Sequence, residues 1–146
     1  MNIYLICTGN TCRSPMAEAI LRSKNMKNVH VRSAGIHAMD GIPIAENAKT
    51  LIERADMPYT ATSKSVTADD VAWADFILTM TDAHKRMLRT FFPDEINKIH
   101  TLKGFLELGG NEDVYDPFGG NLDTYDQTFT ELSKLMEVLE RKLTRG

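Results

Sequence analysis

The sequence predicts an α/β fold, a small doubly wound parallel sheet with helices on both faces, and three observations carry that reading. Strand-length apolar runs alternate with helix-length amphipathic patterns along the chain. The first run, Asn2 to Ile6, is mostly apolar, as a central parallel strand is. The last pattern, Phe129, Leu132, Met136, Leu139 and Leu143, alternates spacings of three and four, which lines up one helical face.

After the first strand comes a polar loop, Cys7 to Arg13. Ser14 reads as an N-cap and Pro15 as the first helical residue, where its missing N–H costs nothing. Met16, Ala17, Ile20 and Leu21 then form the buried face of the first helix. A second strand is expected over Val29 to Arg32, ended by Ser33-Ala34-Gly35, and a second helix over about Ile44 to Ala55, with Ala48, Leu51, Ile52 and Ala55 inward. Thr67-Ala68-Asp69-Asp70 is a capping signal for a short helix ending near Trp73. The third strand is Phe76 to Thr79. Thr81 caps the next helix, with Ala83, Met87, Leu88 and Phe91 on one face and Pro93 at its end. The fourth strand lies near Ile99 to Leu102, the stretch Gly109 to Gly120 is rich in turns, and the last helix runs from about Asp123 to Leu143.

With 146 residues the chain suits one domain spanning 1–146 with one core. Apolar residues make up 42% and charged residues 25%, the profile of an ordinary water-soluble protein. No apolar run approaches the roughly 20 residues of a membrane span, and the start lacks the basic region of a secretion signal, so the expected compartment is the cytoplasm, with no membrane partner. A net charge of −3 without a long basic run argues against nucleic acid as a partner. Cys7 and Cys12 are too few for a disulfide scaffold or a zinc site, and His30, His37, His84 and His100 are scattered without ligand spacing. The expectation is therefore no metal and no cofactor, with surface or core roles for the histidines.

The chemistry concentrates in Cys7-Thr8-Gly9-Asn10-Thr11-Cys12-Arg13-Ser14. A loop joining a strand to a helix N-terminus can turn successive N–H groups inward and cradle an oxyanion. Gly9 admits backbone shapes that bulkier residues resist, and Asn10 tolerates positive φ. Cys7 would lie at the bottom of the cradle, in surroundings of the kind that favour a thiolate nucleophile. Arg13 can return over the loop and grip two phosphoryl oxygens with its planar fork. A cysteine followed six positions later by arginine is weak by itself; the strand before it and the Ser-Pro helix start after it make it specific.

At these residues the chain resembles the low-molecular-weight protein tyrosine phosphatase family. The likeness runs nearly the whole length and includes the Cys7–Ser14 loop, Ser33-Ala34-Gly35 and the late pair Asp116-Pro117. It implies a three-layer αβα domain with a four-stranded parallel sheet. It implies Cys7 as nucleophile, Arg13 as phosphate clamp and Asp116 as the acid that protonates the leaving group and then activates water. Thr8, Gly9, Asn10, Thr11, Cys12 and Ser14 would line the substrate, with Asn10, Ser14 and Ser33 supporting the loop and the Ser14 hydroxyl stabilising the Cys7 thiolate.

Within that family the chain is most similar to the bacterial protein-arginine phosphatases. Thr11 stands where tyrosine-specific members usually have an aliphatic residue, and Phe118 where many have Tyr or Trp. A Thr11 hydroxyl could orient a phosphoguanidinium or the attacking water, where an aliphatic side chain would pack on a phenyl ring, and Phe118 could wall the pocket. Phosphorylated proteins are then the partners, with phosphoarginine preferred and phosphotyrosine the alternative, and a monomer is expected. Cys12 could capture an oxidised Cys7 as a disulfide, a redox switch. Two departures stand out: no His falls within Thr60 to Ser63, where many members have one, and the tandem tyrosines of eukaryotic members are absent beside Asp116. Rival readings are weaker. A thioredoxin-coupled arsenate reductase needs cysteines after Cys12, and a phosphocarrier module or a redox sensor needs no acid at Asp116.

Overall fold

The computed structural model describes residues 1–145. The chain runs β1 (Asn2–Cys7), α1 (Arg13–Ser23), β2 (His30–Gly35), α2 (Glu46–Arg54), α3 (Ala68–Trp73), β3 (Phe76–Thr79), α4 (Asp82–Phe91), a 3₁₀ segment (Pro93–Lys98), β4 (Ile99–Thr101), α5 (Leu102–Phe105) and α6 (Leu122–Thr144). The four strands pair in parallel in the order β2-β1-β3-β4, with Leu5 level with Ser33 on one side and Leu78 on the other.

Side chains alternate across a strand, so β1 feeds two layers. Ile3, Leu5 and Cys7 pack on the side of α1, α2 and α6, against Met16, Ile20, Ile52, Leu132 and Met136. Tyr4 and Ile6 pack on the side of α3 and α4, against Val71, Ala74 and Leu88. The three-layer αβα arrangement follows. Because β1 is central and buried on both faces, its polar continuation emerges at the carboxyl edge of the sheet between β2 and β3. That is the switch point where helices leave for opposite faces and where such sheets place their ligands.

Helix starts are capped where the sequence predicts at two sites. The Thr67 hydroxyl accepts from the Asp70 N–H and the Thr81 hydroxyl from the His84 N–H. Asn121 does the same for α6, accepting from the Thr124 N–H.

Other local expectations need correction. Ser14 is no N-cap: α1 begins at Arg13, and the Ser14 hydroxyl is engaged elsewhere. β2 continues through Ser33, Ala34 and Gly35, because Gly35 still pairs with Cys7. Ala55 lies exposed past the end of α2. On α4 the buried residues are His84 and Leu88, whereas Ala83 and Phe91 face solvent. β4 stops at Thr101, whose side chain accepts from the Gly104 N–H and starts α5 at Leu102. Among the described residues, no helix is long and apolar enough to cross a membrane.

Candidate active site

β1 delivers Cys7 to the carboxyl edge of the sheet, and residues 8–12 turn the chain into α1. Asn10 takes φ = 54°, the left-handed conformation that its side chain makes tolerable. Gly9 is a correction: its φ is not in that region, and an added Cβ would meet only Thr11 Oγ1, at 3.6 Å. The glycine this loop requires is Gly35. A Cβ there would stand 2.4 Å from the Thr8 carbonyl oxygen and 2.8 Å from the Asn10 nitrogen. The Ile36 N–H donates to the Cys7 carbonyl and the His37 N–H to that of Thr8, which binds the end of β2 to the loop. Gly35→Ala is expected to destabilise the fold by about 1–3 kcal/mol and to weaken phosphate binding. Thermal unfolding with and without inorganic phosphate reads both effects.

Cys7 is 2% exposed, with its Sγ 2.8 Å from Ser14 Oγ. The Asn10 side-chain amide donates to Ser14 Oγ (2.8 Å) and to Ser33 Oγ (3.0 Å), so the Ser14 hydroxyl hydrogen is free to point at sulfur. Asn10 Oδ1 accepts from the Lys64 N–H at 2.8 Å. Ser33 in turn donates to Glu18, which also accepts from Thr60 Oγ1. Through Glu18, Thr60 joins the hydrogen-bond network behind the loop. Asn10, Ser14 and Ser33 are therefore brought together behind Cys7.

Arg13 is buried, and its guanidinium is held from three sides. Nη1 donates to the Val114 carbonyl at 3.1 Å, and Nη2 lies 3.5 Å from both Thr8 Oγ1 and Asp116 Oδ2. The Val114 N–H donates to the Met80 carbonyl at the end of β3, which anchors the late loop to the sheet. That loop reaches the site from beyond α5 rather than directly from β4. The Asp116 carboxylate is half exposed, and its Oδ1 accepts from the Phe118 N–H at 3.1 Å. Cys7, Thr8, Gly9, Thr11, Cys12, Arg13, Asp116 and Phe118 enclose a cavity of about 210 Å³. Every residue that the sequence nominates for substrate contact lines it, apart from Asn10 and Ser14, which stand behind. A larger groove of about 1070 Å³ lies along β2 beside Glu18, Arg22 and Trp73 and contains neither cysteine.

Thr11 is half-buried, with Oγ1 3.7 Å from Cys12 Sγ. Cys12 is buried, its Sγ 3.2 Å from the Tyr125 hydroxyl, and burial pushes its thiol pKa up. Both cysteines are free. Phe118 is 77% exposed and stands at the cavity mouth. Among the described residues, no group of three or more His, Cys, Asp or Glu side chains gathers as a metal set.

Sequence reasoning missed His84. It is buried in the first turn of α4, with Nε2 2.7 Å from Thr8 Oγ1. Burial first, and then the Arg13 guanidinium, lowers its pKa to about 4. The available signal was positional: α4 follows β3, a neighbour of β1, so its first turn and the Cys7 loop share one edge of the sheet.

A buried cysteine at the end of β1, a buried arginine at the start of α1 and a carboxylate beside that arginine, all lining one cavity, define the class of cysteine-dependent phosphatases. The chain belongs to the low molecular weight phosphotyrosine protein phosphatase family, which matches residues 2–146. It is 38% identical over 141 residues to a protein-arginine-phosphatase of Geobacillus stearothermophilus, covering 97% of this chain and 95% of that one. It is 36% identical over 142 residues to the low molecular weight protein-tyrosine-phosphatase PtpB of Staphylococcus epidermidis, covering 97% and 99%. Its fold superposes with a TM-score of 0.93 on a solved YwlE arginine phosphatase mutant that carries a phosphorylated active-site serine, at 37% identity and covering 99% and 96% of the two chains.

Proposed function

We propose that this chain removes phosphate from phosphoarginine in proteins through a phosphocysteine at Cys7. One observation carries the reading: Cys7, Arg13 and Asp116 face a single small cavity with the Thr11 hydroxyl on its wall. The likeness to protein-arginine-phosphatase supports the substrate, and the likeness to PtpB keeps phosphotyrosine as the second reading.

In the first step the Cys7 sulfur attacks phosphorus, an S–P bond forms and the P–N bond of phosphoarginine breaks. Asp116, as an acid, gives its proton to the leaving guanidine nitrogen. In the second step Asp116 accepts a proton from water, the water oxygen attacks phosphorus and the S–P bond breaks, releasing phosphate and the Cys7 thiolate. Loop N–H groups and Arg13 hold the phosphoryl oxygens throughout, and the Ser14 hydroxyl holds the sulfur between turnovers. Asp116 can also hold the positive guanidinium portion of the substrate by hydrogen bonds, a contact that a phenyl ring does not offer. Phosphorylated proteins are the partners this chemistry requires, and the Cys7–Ser14 segment serves as the phosphate-binding loop.

The test is side-by-side hydrolysis of phosphoarginine and phosphotyrosine proteins by wild type and Thr11→Ile. Wild type should favour phosphoarginine, and the variant should lower the arginine-to-tyrosine ratio of kcat/KM by about tenfold or more. An unchanged ratio would remove Thr11 from specificity. A wild type that cleaves only phosphotyrosine would replace the first reading with the second.

A further inference from the structure

His84 is a buried polar group that the two chemical steps do not use. Its main-chain N–H donates to the Thr81 hydroxyl, and its ring packs at the carboxyl edge of the sheet with Nε2 2.7 Å from Thr8 Oγ1. The other ring nitrogen, Nδ1, is buried and has no partner among the described residues. The groups that bear on its charge are Arg13 and His37, which disfavour a proton, and Asp113 and Asp116, which favour one; with burial the sum keeps the ring neutral at physiological pH.

A neutral ring has a single N–H. Placed on Nδ1 it would be a buried donor with nothing to meet; placed on Nε2 it meets the Thr8 oxygen. The Nε2–H form leaves only an unprotonated nitrogen without a partner, a milder loss. Thr8 Oγ1 then accepts from Nε2–H at 2.7 Å and from Arg13 Nη2 at 3.5 Å, which fills its two lone pairs. Its own hydrogen must point elsewhere. Thr8 is exposed and lines the cavity above Cys7.

We propose that His84 is a positioning residue that, acting through Thr8, aims a hydroxyl donor at the phosphoryl oxygens held above Cys7. The inference rests on the oxyanion site of the proposed function and is independent of which phosphoamino acid is cleaved. It adds a side-chain donor to the loop N–H groups of the proposed mechanism and couples it to Arg13, since one oxygen serves both.

Two measurements test it. Side-chain ¹⁵N NMR of the wild-type protein at neutral pH should show His84 uncharged with hydrogen on Nε2. A proton on Nδ1, or a charged ring, overturns the proposal without any variant being made. The second measurement is the inhibition constant of inorganic phosphate. Thr8→Val should weaken phosphate about tenfold, His84→Ala by a similar factor, and the double variant no more than either alone, because both remove one donor. His84→Gln, whose amide can donate to Thr8, should recover most of the loss. Thr8 is exposed, so Thr8→Val remains informative if His84→Ala fails to fold. Unchanged phosphate affinity in Thr8→Val overturns the positioning role, even with phosphoarginine turnover intact. Loss of affinity in an enzyme that cleaves only phosphotyrosine supports it while the arginine reading falls.

Discussion

Cys7→Ser is expected to reduce turnover by roughly 10⁴- to 10⁶-fold, the scale seen when an enzyme loses its nucleophile, while inorganic phosphate still binds. The two effects separate because they have different sources. In the proposed mechanism binding rests on the loop N–H groups and on Arg13, whose guanidinium is fixed by Val114, Thr8 and Asp116 rather than by the sulfur. Turnover in that mechanism needs the sulfur as nucleophile, and a serine hydroxyl in its place is a far weaker one. The substitution is small, and the Ser14 hydroxyl beside Cys7 Sγ can still hydrogen-bond to an oxygen there. Steady-state rates and phosphate calorimetry on the same preparation read both quantities. Activity near wild type in Cys7→Ser would remove Cys7 from the mechanism.

Asp116→Asn is expected to slow hydrolysis by about 10²- to 10⁴-fold, the usual contribution of a placed acid or base, and unevenly across substrates. A guanidine nitrogen leaves poorly without a proton, whereas an activated aryl phosphate has a leaving group that needs none. The first step should therefore be crippled for phosphoarginine and nearly spared for the activated ester, until the second step limits the rate for want of a base. A burst of released phenol followed by slow turnover is the expected signature. The amide also weakens the contact with Arg13, 3.5 Å away, but that contact is half exposed and adds little by comparison. Equal slowing of good and poor leaving groups without a burst would mean that Asp116 acts only by holding Arg13.

The features legible in the sequence are those fixed by local chemistry. The apolar run of β1, the strand-to-helix loop and the capping threonines Thr67 and Thr81 need only neighbours a few residues away, and each appears where the pattern puts it. Long-range geometry was not legible. Ser14 reads as a cap because serine before proline usually is one; its hydroxyl goes to Cys7 and Asn10 because the loop folds back on itself. Gly9 reads as the flexible residue, yet the close backbone approach falls at Gly35, at the end of the neighbouring strand β2. His84 looks isolated at 76 residues from Thr8, and only the β1–β3 pairing joins them. The placement of Asp116 over Arg13 likewise depends on Val114 joining the end of β3, a single main-chain bond that no periodicity announces.

The central claim is that phosphate passes through the sulfur of Cys7, and trapping that species tests it most directly. Mixing the enzyme with phosphorylated protein, quenching in acid within the first turnover and digesting for mass spectrometry should show one phosphoryl group on the peptide that contains Cys7. Supplied instead with an activated aryl phosphate, Asp116→Asn should accumulate the same species, because its first step is spared and its second lacks a base. Full phosphate release with no phosphoryl group ever found on Cys7, or one found on another residue, would contradict the account.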